Sequence, residues 1–114
     1  MGSILFNAKK YGEAVAEFQK SQNNPHLRIR SLILLGQCFL GRNMNDLAVR
    51  ALQNALKEKI GFDDERKEIL YYLGVAQEKM GKREEAIEQF KLIYEVDSAY
   101  RDVAARVDAF YAGG

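Results

Sequence analysis

The side chains in this chain that could do chemistry are few and scattered. His26 is the sole histidine, and it stands beside Pro25 with no second histidine, cysteine or carboxylate at metal-ligand spacing. It reads as a capping or surface residue. Cys38 is the sole cysteine, so no disulfide can close within the chain, and its apolar neighbours predict a buried, inert thiol. Acidic pairs occur at Asp63-Asp64 and Glu84-Glu85. Each falls at an expected helix start, where the helix dipole favours carboxylates, so general acid–base work is not indicated. The nine glycines fall at turns, packing positions or the tail and form no phosphate loop. Serine, histidine and aspartate never converge in a register that a helix would support. The expectation is a protein that is not an enzyme and that needs neither metal nor cofactor.

Size and charge narrow the classes further. The 114 residues suffice for one domain with a real core, and 47% hydrophobic with 29% charged residues is a soluble, globular balance. Seventeen basic residues face sixteen acidic ones, for a formal net charge of +1. That balance argues against nucleic-acid binding by phosphate neutralisation, which needs a clustered basic surplus. No stretch approaches the run of about 18 apolar residues that a membrane span requires, and no secretory signal is visible. Cysteine usage leans towards a reducing cytoplasm, with the periplasm or another compartment left open.

The elements that must position any site are helices. Pro25 is the only proline and tryptophan is absent. Tyr11–Gln22 predicts a helix with Ala14, Val15 and Phe18 inward, ended by Asn23-Asn24-Pro25. His26–Leu40 predicts the next, and the run SLILLGQCFL implies burial on more than one side. Gly41, Arg42 and Asn43 form a turn. Asn45 or Asp46 then caps a helix to about Lys59 that carries Leu47, Ala48, Ala51, Leu52, Ala55 and Leu56 inward. Gly61 stops it, Asp63 caps the following helix (Arg66–Met80), and Gly81 turns the chain into Arg83–Val96. Asp97 or Ser98 caps a final helix, Ala99–Tyr111, with Tyr100, Val103, Ala104, Val107 and Phe110 on its apolar face. Its polar side is Arg101, Asp102, Arg106 and Asp108.

One pattern recurs through these helices. Leu70, Leu73 and Gly74 precede Ala86, Phe90 and Ile93; Leu32, Leu35, Gly36 and Phe39 precede Ala48, Leu52 and Ala55; Ala14 and Phe18 give a third copy. Ala14 and Ala48 lie 34 residues apart, while Ala48 and Ala86 lie 38 apart, as do Gly36 and Gly74. The four extra residues are expected to lengthen the helices on either side of Gly61. The order Leu-x2-Leu-Gly…Ala-x3-Phe resembles the tetratricopeptide repeat, a helix-turn-helix unit of about 34 residues. Gln77 departs from it where that family usually has Tyr, and Ser98 where it usually has Pro.

The resemblance implies an all-α, right-handed solenoid of antiparallel helix pairs, six helices in three hairpins plus a seventh that covers the open end. Its units would be a truncated first repeat at 1–25, repeats at 26–62 and 63–98, and a capping helix at 99–112. The first unit starts in mid-repeat, and Met1-Gly2-Ser3 is either a cloning remnant or native. The chain is therefore expected to be a segment of a longer protein. Ile4, Leu5 and Phe6 then form an incomplete edge through which two copies could dimerise.

The resemblance also implies a function, binding a peptide or helical segment of a partner protein in the concave groove. That wall would show Arg30, Ile33, Leu34, Gln37 and Leu40 from one unit, and Glu68, Tyr71, Tyr72, Val75 and Glu78 from the next. Phe6 stands at its front, and Ala105, Arg106 and Ala109 at its back. One branch of the family grips a terminal carboxylate with Lys, Asn and Arg at these places, and here they are absent. An apolar and aromatic wall with tyrosine anchors suits a hydrophobic or helical segment instead. The alternative is architectural, the same residues packing against the parent chain or another copy. RNA binding, as in the similar pentatricopeptide arrays, is disfavoured by the charge balance.

Overall fold

A computed structural model describes residues 24–113, and among these the chain is entirely helical, with five helices and no strand. In chain order they are α1 (Pro25–Gly41), α2 (Asn45–Glu58), α3 (Asp64–Lys79), α4 (Arg83–Val96) and α5 (Val103–Gly113). The Tyr11–Gln22 helix, the apolar positions Ala14, Val15 and Phe18, and the Ile4–Phe6 edge lie outside the described residues. α1 packs on α2 and α3 on α4 as antiparallel hairpins, α2 joins the two hairpins through α3, and α5 lies on α4.

The hairpin turns repeat residue for residue. The Met44 amide donates to the Phe39 carbonyl at 2.8 Å, and the Lys82 amide donates to that of Gln77 at 2.9 Å. This six-to-one closure needs a left-handed residue just before it. Asn43 supplies it at φ 65° and Gly81 at φ 81°. Both were legible from residue type, since Asn and Gly are the residues that tolerate that conformation.

Close packing follows at the two helical glycines. A Cβ at Gly36 would stand 2.7 Å from Leu52 Cγ, and one at Gly74 2.7 Å from Phe90 Cζ. The paired glycine and large apolar residue of each hairpin therefore touch directly. α1 and α3 are buried on two sides, as the apolar run in α1 predicts. Ile69 and Leu73 of α3 join Ile29, Leu32, Ile33, Leu35 and the α2 residues Ala51, Leu52 and Ala55 in one core cluster. Leu70 joins Ala86, Ile87, Phe90, Ile93, Val103 and Val107 in a second. Leu40, Ala48 and Ala76 link the hairpins in a third. Cys38 is buried.

Four local expectations are corrected. Asn24 caps α1, its side chain accepting from the Leu27 amide at 3.2 Å, so that helix starts at Pro25, one residue early. Neither Asn45 nor Asp46 caps α2. Met44 holds the cap position without a side-chain hydrogen bond, because the tight turn already fixes the helix start. The four extra residues between repeats do not lengthen α2, which ends ten residues past Ala48 as α4 ends ten past Ala86. They fall in the Lys59–Asp63 link, since α3 starts ten residues before Gly74 and α1 eleven before Gly36; Asp63 caps α3 as expected by accepting from the Arg66 amide at 3.1 Å. The last helix begins at Val103, four residues late. Asp97 caps a turn instead, accepting from the Ala99 amide at 3.2 Å, and Arg101 takes a left-handed backbone at φ 42°. That bend carries Arg101 and Asp102 off the helix and over α3.

Candidate functional site

The described residues expected to form the inner wall lie on α1, α3 and α5. On α1, Arg30 is exposed and reaches across to α3, where it pairs with Glu65 at 3.4 Å and Glu68 at 3.7 Å. Ile33 and Leu40 are buried, and Leu34 and Gln37 are half-buried. Leu27, Arg30, Ser31, Ile33, Leu34 and Gln37 line a cleft of about 240 Å³. Ile33 therefore serves the core with most of its surface, and only its edge reaches the cleft.

α3 supplies the aromatic part. Tyr71 and Tyr72 are half-buried and meet edge to face with centroids 5.7 Å apart. The Tyr71 ring also stands edge-on to Phe90 at 5.8 Å and Tyr100 at 6.1 Å. Val75, one turn on, packs against the second and third core clusters. Gln77 is buried, and its Oε1 has no hydrogen-bond partner among the described residues.

The link and α5 close over this surface. The Arg101 guanidinium lies 4.9, 5.2 and 5.4 Å from the ring centroids of Tyr71, Tyr72 and Tyr100, and its Nη1 donates to the Tyr72 hydroxyl at 3.1 Å. The Tyr71 hydroxyl donates to Asp102 Oδ1 at 2.8 Å. Arg106 Nε donates to the same oxygen at 3.0 Å, its Nη1 pairs with Glu78, and its guanidinium lies 5.5 Å from the Tyr71 ring. Arg101 and Asp102 are exposed on the polar side expected of them, Arg106 is half-buried there, and all three make these contacts as well. Asp108 is exposed as expected. Ala105, Arg106 and Ala109 line a second cleft of about 300 Å³ with Glu78, Arg83, Ile87 and Phe110.

The electrostatics follow from burial and pairing. Burial raises the Tyr71 and Tyr100 hydroxyls above their ordinary range. The Tyr72 hydroxyl bond raises Arg101. Burial alone would raise the Asp102 carboxyl, but hydrogen bonds from Tyr71 and Arg106 outweigh it and hold it below the usual range. Such a network holds charged groups in place and offers no nucleophile or poised base. Among the described residues no group of three His, Cys, Asp or Glu side chains could hold a metal ion, and no helix is long and apolar enough to cross a membrane.

Sequence reasoning placed Tyr71, Tyr72, Glu78 and Arg106 near one another but missed Tyr100, Arg101 and Asp102 as part of the same surface. No spacing rule could have found them, because their position depends on the left-handed residue at 101.

Residues 68–95 match the family model of the tetratricopeptide repeat. No curated protein and no solved structure matches the chain. Repeats of this family generally mediate protein–protein interaction and are typically non-enzymatic. The match spans most of α3 and all but the last residue of α4, the hairpin that carries Gly74 against Phe90 and the tyrosine wall. The α3–α4 hairpin is thus similar to the tetratricopeptide repeat.

Proposed function

We propose that this protein is a protein-interaction module that holds a hydrophobic or helical segment of a partner along the wall of α1, α3 and the α4–α5 link. Its units are residues 26–62 and 63–98, preceded by a partial unit at 1–25 and closed by 99–112, in a right-handed solenoid of seven helices. The observation that carries the reading is the half-buried pair Tyr71 and Tyr72, edge to face beside a charged rim of Arg30, Glu68, Glu78 and Arg106. Tyrosines of this kind bring large, rigid, amphipathic area to an interface at little entropic cost. Leu34, Gln37 and the edge of Ile33 extend the wall along α1, with Leu40 beneath it.

The test is the double variant Tyr71→Ala, Tyr72→Ala in a pull-down, with a photo-crosslinker at Gln37 to identify what sits on the wall. Capture should collapse while the helical circular dichroism is retained. Capture that survives both substitutions moves the site to the opposite face. A second reading has an observation of its own, since Leu27 on α1 is 48% exposed at the mouth of the 240 Å³ cleft. Under it that face stacks on another copy or on further chain, and sedimentation of Leu27→Glu would lose a dimer that the parent forms.

A further inference from the structure

Three tyrosine rings surround one guanidinium at the α4–α5 link, and the arrangement is that of a receptor for a cation. All three centroids lie within the distance at which a ring face attracts a positive charge. The planar fork of arginine fits better than a compact ammonium, because one N–H donates to the Tyr72 hydroxyl while the guanidinium carbon stays within 5.4 Å of all three ring centroids. Glu68 completes the electrostatics, since its charge acts on both Arg101 and Tyr100.

Arg101 is an unusual choice as a purely structural filler. It is exposed, it contributes nothing to the core, and it sits in a left-handed conformation that favours glycine. α5 is anchored without it, through fully buried Val103 and through Val107. The rings themselves are the aromatic part of the proposed docking wall.

We infer that the Tyr71–Tyr72–Tyr100 cage is a binding subsite for an arginine side chain of the partner protein, and that Arg101 occupies it in cis until displaced. The inference rests on the interaction reading above and adds the chemistry of the bound segment. Arg101 shows the occupant, a guanidinium seated between three rings with a carboxylate nearby. The partner segment carries an arginine beside its apolar residues, and that arginine exchanges with Arg101.

The test separates the cage from the wall. Arg101→Gly empties the cage and suits the left-handed backbone at that position. The tyrosine ring signals are followed by NMR during titration with Nα-acetyl-arginine amide and, separately, with its uncharged citrulline analogue. The emptied cage should show saturable shifts at Tyr71, Tyr72 and Tyr100 with the arginine probe. Affinity in the parent should be at least tenfold weaker, and the citrulline analogue should give no saturable shift. Adding Tyr72→Leu should abolish the response. The cage is overturned if Arg101→Gly, with helical dichroism intact, shows no saturable shift. It is equally overturned if citrulline matches arginine or if Tyr72→Leu changes nothing. Should the glycine variant fail to fold, Arg101→Gln removes the charge with less change in shape and is read in the same way. In the parent, a failure of the Arg101 Nε–H signal to move at saturating arginine probe also counts against the cage. A negative cage result with capture still lost in the Tyr71→Ala, Tyr72→Ala variant removes the arginine subsite and leaves the wall standing.

Discussion

Gly74→Ala isolates the contact on which the α3–α4 hairpin depends. The added Cβ would lie 2.7 Å from Phe90 Cζ and 2.8 Å from Cε1. Comfortable carbon contacts lie near 3.5–4.0 Å, so ring and helix must separate by about 1 Å. Phe90 has nowhere to go: it is fully buried, among Leu70, Ala86, Ile87, Ile93 and Val103. Overpacking of this kind costs about 1–3 kcal/mol. Against it stands the better helix propensity of alanine, about 0.8–1 kcal/mol. The net expectation is a destabilisation of about 1 kcal/mol, or a fall of about 4–8 °C in Tm for a chain near this size. The same substitution in a Phe90→Leu background meets no ring, so there it should stabilise by roughly the propensity difference of about 1 kcal/mol. Thermal melts of the four proteins in this double-mutant cycle give the coupling directly. If Gly74→Ala shifts Tm equally in both backgrounds, or raises it in the parent, the close-contact argument is wrong.

Two further expectations concern single polar groups. Gln77→Met keeps the length of the side chain and removes the buried, unpartnered Oε1, so urea denaturation should show a gain of about 1 kcal/mol; an unchanged or lower midpoint would mean the oxygen is satisfied. The Asp102 carboxyl is held low in the folded chain, so its contribution is fully present above the unfolded value of about 3.9 and is lost as pH falls through the folded one. The Tm gap between the parent and Asp102→Asn should therefore narrow as the pH is lowered into the acid range, and a gap that stays constant would contradict the pairing.

Much of the fold was legible because the repeat pattern couples local and long-range requirements at the same residues. Gly36 and Gly74 carry the helix contact, Asn43 and Gly81 the turns, and all four announce themselves by residue type. The α4 boundaries, Arg83–Val96, followed from the same register. The division of labour within α3 was less visible. Leu70 and Leu73 share a stripe on a helical wheel, yet they enter different cores, because neighbours press on α3 from two sides. The α4–α5 link was misread for a different reason. Tyr100-Arg101-Asp102 carries no glycine or proline, so the sequence offers no sign of the break that the left-handed backbone at Arg101 makes. The candidate wall suffered from both effects: Ile33 and Leu40 went largely inward, and the residues covering the tyrosines came from the unforeseen bend.

α3 belongs to two cores at once. Ile69 and Leu73 close the first hairpin's interior while Leu70 closes the second, so neither hairpin keeps a complete interior if the other melts. In a stack of independent units, each joint is a place where the array can come apart alone. Here the joint is the middle of a helix. Loss of order is therefore expected to be shared along 24–113 rather than confined to one end, in a single cooperative transition. A partner that stiffens the α3 wall would then be felt at α2 and α4 alike, through the two cores that α3 closes.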